Sequence, residues 1–220
     1  MNTVAIIVAA GLGERMPGDT LKQLTPLAAV PMVLWSVRAL AALCDAVVVV
    51  APPGVEAALA GAEKVHAVVV GGATRQESVW NGLQALPPGA ERVLIHDAAR
   101  PCVSRALIAR VIAALDRCAA VVPVVPVVDT LVREREGRVE AIIDRAHVAL
   151  VQTPQGFAVD VIRRAHQSAR KSGLKMSDDG SLVLAMHEPV VAVPGERTNI
   201  KVTYPEDVAV AAAILAGGGE

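Results

Sequence analysis

A glycine-rich loop with two cations beside it is the first chemistry this 220-residue chain offers. The run Ala9-Ala10-Gly11-Leu12-Gly13-Glu14-Arg15-Met16 follows an apolar segment, and Lys22 stands beyond Pro17 and Gly18. Glycine lets a backbone approach a ligand closely. In an open α/β sheet the loop after the first strand is a usual phosphate site, because its N–H groups converge there. Arg15 and Lys22 would then neutralise a triphosphate and the charge that develops as pyrophosphate leaves; as solvated surface cations they would do neither. Two familiar phosphate loops are excluded. Met16 stands where G-x-G-x-x-G needs its third glycine, and the second apolar run ends Val50-Ala51-Pro52-Pro53, without the acid that would hold a ribose. Gly18 is followed by Asp19-Thr20, not by the Lys-Ser/Thr of a Walker loop.

A second candidate is Asp97, at the end of the apolar run Arg92 to His96. A carboxylate there is costly unless it serves a ligand or a metal. A helix-capping aspartate is the alternative.

These residues need elements to position them. Short Val/Ile/Ala-rich runs recur at Val4 to Ala10, Ala46 to Ala51, Val65 to Val70, Arg92 to His96 and Ala119 to Val125, each followed by a loop and a helix-like stretch. This alternation predicts an α/β fold. The runs are continuously apolar, as strands buried on both faces of a mostly parallel, Rossmann-like twisted sheet must be, so helices should cover both faces. Thr74 with Glu77 and Thr203 with Glu206 fit capping boxes, and Ser104 and Ser177 are N-cap candidates. Between about 126 and 147 the pattern turns polar and arginine-rich, with Glu136-Gly137 as a hairpin tip. This predicts a protruding β-arm. A lone hairpin is marginal, so the arm should pack on something, a second subunit included; an ordinary surface hairpin is the other reading.

Composition narrows the classes. The chain is 53% hydrophobic, yet its longest apolar stretch, Ala119 to Val128, is broken by Pro123 and Pro126 and falls short of a membrane span. A net charge of −1 from 21 basic and 22 acidic residues gives no footprint for nucleic acid or an anionic membrane. Aromatics make up 2%, too few for base-stacking platforms, so a bound base would be read by backbone groups. Cys44, Cys102 and Cys118 lack paired spacing and read as free thiols. With no leader pattern at the amino end, the expectation is a cytoplasmic protein. A single domain over 1–220 is expected, with no room after Thr203 for a fused second enzyme.

The motifs together resemble the 2-C-methyl-D-erythritol 4-phosphate cytidylyltransferases of the non-mevalonate isoprenoid pathway. The resemblance is carried by the glycine loop with Lys22-Gln23, GGATRQESV at Gly71 to Val79, HDAARP at His96 to Pro101 and Val128-Asp129-Thr130. Asp144-Arg145, Gln152-Thr153-Pro154-Gln155, Ser177-Asp178-Asp179 and Asn199-Ile200-Lys201-Val202 extend it over nearly the whole chain. It implies transfer of CMP from CTP to methylerythritol phosphate, with Mg2+ or another divalent cation. Arg15 and Lys22 would stabilise the transition state, and Ala9, Ala10, Gly11 and Gly13 would line the CTP site. Gly72 and Ser78 would read cytosine, since backbone groups and one hydroxyl can bond an amide-like edge without stacking. Asp97, Ala98 and Arg100 would lie between the substrates, with Asp97 the one candidate metal ligand beside triphosphate oxygens and water. Arg145 and Lys201 would grip the acceptor phosphate, helped by Thr130 and Thr153. Because Thr130 and Arg145 sit on the arm, the resemblance also implies a homodimer in which they reach the neighbouring subunit's site. Ala73 departs from relatives that carry an acid there. Two rivals stand: a ribitol 5-phosphate cytidylyltransferase, and a nucleotide-binding regulatory module without turnover.

Overall fold

The computed structural model describes residues 2–11 and 21–217. From the amino end the chain runs through β1 (Thr3–Val8), the short hairpin β2 (Pro26–Leu27) and β3 (Val30–Pro31), α1 (Met32–Ala41), β4 (Ala46–Ala51) and β5 (Val65–Val70). It continues through α2 (Arg75–Gln84), β6 (Arg92–Asp97), α3 (Arg105–Ala114) and β7 (Ala120–Pro126). An arm follows, β8 (Leu131–Arg135) and β9 (Arg138–Ile143). The chain then returns through β10 (Ala149–Val151), β11 (Gln155–Ala158), α4 (Val159–Ser172), α5 (Asp179–Leu184), β12 (Val191–Pro194) and α6 (Pro205–Gly217).

The main sheet has the order β10-β7-β11-β6-β1-β4-β5, with β12 on the free edge of β7. β5, β4, β1 and β6 are mutually parallel, whereas β11 runs antiparallel between β6 and β7. The five apolar runs are five of these strands, and the sheet is mostly parallel as expected. The antiparallel insertion was not legible: Gln155–Ala158 is only four residues long and has no apolar run of its own.

Alternation along each strand assigns the layers. Ala5, Ile7, Val47, Val49 and Leu94 pack with Val33, Val37 and Leu40 of α1 and Leu107, Ile108 and Val111 of α3. Val4, Ile6, Val48, Val50, Val93 and Ile95 pack on the opposite face with Val79 and Leu83 of α2, Ile162 and Ala165 of α4 and Leu182 and Val183 of α5. Both faces are therefore covered, which is why the runs are continuously apolar. A smaller cluster of Leu27, Met32, Cys102, Val202 and Ala211 seats α6. The three cysteines are free, and among the described residues no helix is long and apolar enough to cross a membrane.

The capping expectations divide. Thr74 accepts from Glu77 N–H at 3.1 Å and Ser104 from Leu107 N–H at 3.0 Å, as read from sequence, although the Glu77 carboxylate reaches back to Ala73 N–H and not to that of Thr74. The Thr203–Glu206 box is corrected. Asp207, not Glu206, reaches back, accepting from Thr203 and Tyr204 N–H at 2.7 and 2.8 Å. At α5 the cap is Asp178, which accepts from Ser181 N–H at 2.8 Å, one residue after Ser177.

The arm is a two-stranded hairpin that pairs with no other strand among the described residues. Its tip is the expected one: Glu136 and Gly137 have φ of 53° and 77°, the left-handed pair that a type I′ turn needs.

Gly156 of β11 lies under α3, where a Cβ would stand 2.7 Å from Val111 Cγ1 and 3.0 Å from Leu115 Cδ1. Gly156→Ala should therefore destabilise by about 1–3 kcal/mol through overpacking. Denaturant titration would read this as a lower midpoint at unchanged slope; an unmoved midpoint would mean that α3 yields without cost.

Candidate active site

A cleft of about 550 Å³ opens where β1, β5 and β6 end and their loops turn away. The carboxyl ends of parallel strands are where an open α/β sheet binds its ligands. Of the residues named from sequence, Ala9, Ala10, Gly11, Lys22, Gly72, Ser78, Asp97, Ala98 and Lys201 line this cleft. Gly13 and Arg15 lie outside the described residues. Arg100 and Thr153 sit behind the cleft, and Thr130 and Arg145 stand on the exposed arm away from it.

Close approach of two loops shapes one wall. A Cβ on Gly71 would fall 2.2 Å from Ala10 Cβ, so both positions must stay small for the loop after β1 to meet the loop after β5. Gln23, buried beneath, donates to Ala9 O at 2.5 Å and holds the first loop from below. Across from it Ser78 accepts from Gly72 N–H at 3.1 Å and donates to Thr74 O at 2.9 Å. Glu77 accepts from Ala73 N–H at 2.8 Å. The turn before α2 is thus built by side chains of α2 itself.

The charged floor is organised by Asp97. Alternation along β6 puts it on the same face as Val93 and Ile95, toward α2 and α5. Its Oδ1 accepts from Arg75 Nε at 3.0 Å, and its Oδ2 from Lys201 Nζ at 2.7 Å. Burial pushes the Asp97 carboxyl up, but the Arg75 and Lys201 charges outweigh it and hold it well below the usual carboxylate range. Arg75 also donates through Nη1 to Asp179 at 2.7 Å, and Asp179 in turn bonds His166 Nε2 at 3.0 Å. Arg75 was not among the residues named from sequence. A signal existed in Ser177-Asp178-Asp179: one acid caps α5, and the second, Asp179, is buried and needed a cation.

Behind the floor, HDAARP and the NIKV segment form one unit. Arg100 donates to Asn199 O at 2.8 Å, and Val202 N–H to Ala99 O at 2.8 Å. Asn199 donates to Thr153 O at 2.8 Å, while Gln152 bonds Glu196 through both its amide groups. These bonds place Lys201 beside Asp97. His96 is fully buried. Its Nε2 lies 3.2 Å from Arg100 O, which can only accept, so Nε2 carries the proton and Nδ1 accepts from Thr153 Oγ1 at 3.1 Å. The Thr153 oxygen then accepts from Asp97 N–H at 3.1 Å. Its one proton is committed inside the protein, so the geometry gives Thr153 a bracing part.

No group of three His, Cys, Asp or Glu among the described residues could hold a metal ion. Asp97 has both oxygens taken by cations, so the donor set does not fit a metal held by the protein.

The family model described as 2-C-methyl-D-erythritol 4-phosphate cytidylyltransferase matches residues 3–217. The enzyme of that name from Pelotomaculum thermopropionicum is 42% identical over 221 residues, covering 96% of this chain and 93% of its own. The one from Prochlorococcus marinus is 42% identical over 219 residues, covering 96% and 97%. The crystal structure of the Thermus thermophilus enzyme superposes with a TM-score of 0.85 at 39% identity, covering 98% of this chain and all of that one. These matches favour neither the ribitol 5-phosphate reading nor a module without turnover.

The buried imidazole makes stability depend on pH. Burial, the largest cause, lowers His96 from 6.5 to about 4, so between those values the unfolded chain binds the extra proton. Its contribution is present above pH 6.5 and is lost as pH falls toward 4, worth about 3 kcal/mol. Melting midpoints recorded from pH 7 to 4 should fall, and His96→Gln should flatten that decline. An equally steep decline in the variant would assign it to other groups.

Proposed function

The chain belongs to the 2-C-methyl-D-erythritol 4-phosphate cytidylyltransferase family, and from that premise we infer that the cleft beside Asp97 is where its two substrates meet. The enzyme transfers CMP from CTP to 2-C-methyl-D-erythritol 4-phosphate, giving the cytidine diphosphate-linked alcohol and pyrophosphate. The observation that carries the assignment of the site is the pairing of a glycine-lined wall with the Asp97–Lys201 floor in one cleft.

The acceptor is a phosphate monoester with a second pKa of about 6, so at neutral pH it is already largely a dianion and needs no general base. An acceptor oxygen attacks the α-phosphorus in line as the bond to the bridging α–β oxygen breaks, and pyrophosphate carries away the electron pair. Catalysis is then positioning and charge neutralisation. In this reading Ala9, Ala10, Gly11 and Gly13 cradle the triphosphate, and Arg15 and Lys22 neutralise the leaving group. Gly72 and Ser78 meet the cytosine, with Ala73 offering only its backbone. Asp97 and Ala98 stand between the substrates, Lys201 grips the acceptor phosphate, and Arg100 and Thr153 brace the floor. The family uses a divalent cation, Mg2+ in this proposal, which would ride on triphosphate oxygens and water.

Thr130 and Arg145 flank the hairpin at its base, are exposed and are not among the residues that line their own cleft, which supports a homodimer in which each arm serves the neighbour's site. The arm exposes Ile142 at 75% and Val139 at 64%, apolar surface that a lone hairpin does not tolerate well. Arg145 donates to Val128 O, fixing its guanidinium at the base of the arm. A single domain and a cytoplasmic location belong to the same proposal, since both substrates are charged phosphate esters that do not partition into a bilayer.

Steady-state turnover of CTP with each acceptor tests the assignment: methylerythritol phosphate should be preferred over ribitol 5-phosphate, and Lys22→Ala should lower kcat about 100-fold or more with the fold intact. Undiminished turnover in Lys22→Ala would remove the cradle from the mechanism. Arg145→Ala and Lys22→Ala should each be nearly inactive alone and regain activity when refolded together, because a mixed dimer owns one intact site. Absence of recovery despite mixed-dimer formation would refute service across the interface.

A further inference from the structure

We propose that Arg75 is a positioning residue for the transfer, a rigid bridge that sets the orientation of the Asp97 carboxylate and, through it, the place of Lys201. The inference rests on the reading of Asp97 as a substrate-side group.

The planar guanidinium spends one N–H on each of two carboxylates, Nε on Asp97 at 3.0 Å and Nη1 on Asp179 at 2.7 Å. Asp179 is anchored deep in the core. Its side chain is 1% exposed, and its other oxygen meets the fully buried His166, which stacks on Trp80 with ring centroids 6.3 Å apart. Asp179 therefore cannot turn, and neither can the guanidinium that it holds. Asp97, gripped on Oδ1 by that fixed group, presents Oδ2 in one direction only, where Lys201 meets it. Charges alternate along the row from Asp179 through Arg75 and Asp97 to Lys201, so each member is flanked by opposite charge. Arg75, Asp97 and Lys201 line the cleft, whereas Asp179 and His166 do not. The Nη2 of Arg75 is sealed from solvent, so the guanidinium acts through Asp97 and not through that donor on a ligand. Lysine would not replace it: a compact ammonium lacks the fixed fork that spans both carboxylates.

A double-mutant cycle on kcat/KM, with melting midpoints recorded alongside, tests this. Asp97→Asn and Arg75→Gln should each lower kcat/KM about 10- to 100-fold, as displacement of a positioning group does. The double variant should be no worse than Asp97→Asn alone, because Arg75 acts through Asp97. Arg75→Lys keeps the charge but not the fork, so it should lose activity when assayed well below its melting midpoint, and it completes the cycle if Arg75→Gln does not fold. Losses that multiply in the double variant, or full turnover in Arg75→Lys, would overturn the proposal. Full turnover in Asp97→Asn would instead remove the site reading beneath it, and this inference with it.

Discussion

A carboxylate at the end of a strand buried on both faces survives only where cations meet it, and the arrangement of this molecule around Asp97 follows from that requirement. Arg75 comes from the first turn of α2 and Lys201 from the loop before α6, 126 positions apart in the chain and one hydrogen bond each from the same carboxyl group. Removing either cation would leave charge in a poorly solvated place. The two segments are thereby tied to β6, and the cleft is the space between them.

The rest of the site braces that arrangement. Asp179 and His166 hold Arg75 from the core side, and the Arg100–Asn199 and Val202–Ala99 bonds hold the backbone on either side of Lys201. His96 and Thr153 connect the same strand end to the loop behind it, with a proton order set by a carbonyl that can only accept. Groups that look like separate motifs along the chain are one hydrogen-bonded body. Such preorganisation suits a reaction in which the nucleophile is already charged and little beyond orientation and neutralisation remains to be done.

The arm follows a different rule. Among the described residues it contributes nothing to the core and pairs with no other strand, and it exposes valine and isoleucine along its length. Its local geometry is nevertheless well specified by a left-handed Glu136-Gly137 tip, so its shape is a property of the chain while its stability depends on what it packs against.

The sequence by itself determined the parallel part of the sheet, the two-sided helical cover, the hairpin tip and the caps at Thr74 and Ser104. Each of these rests on a local rule: apolar runs for strands buried twice, a hydroxyl one residue before a helix, two residues able to take positive φ. The cleft positions of Gly11 and Asp97 were also legible, because residue type and position relative to a strand end already imply their chemistry, whereas Lys201 was singled out by the family resemblance alone. Only the tertiary structure decided that β11 runs antiparallel between β6 and β7, that Asp207 and Asp178 take the caps expected of Glu206 and Ser177, and that Thr153 turns inward. It alone brought Arg75 into the site. A guanidinium's partners lie 22 and 104 positions away, and no periodicity records which of several nearby arginines will face a buried acid. Local preferences act within a turn or two of the chain, whereas charge compensation is settled by whatever the fold brings within about 3 Å.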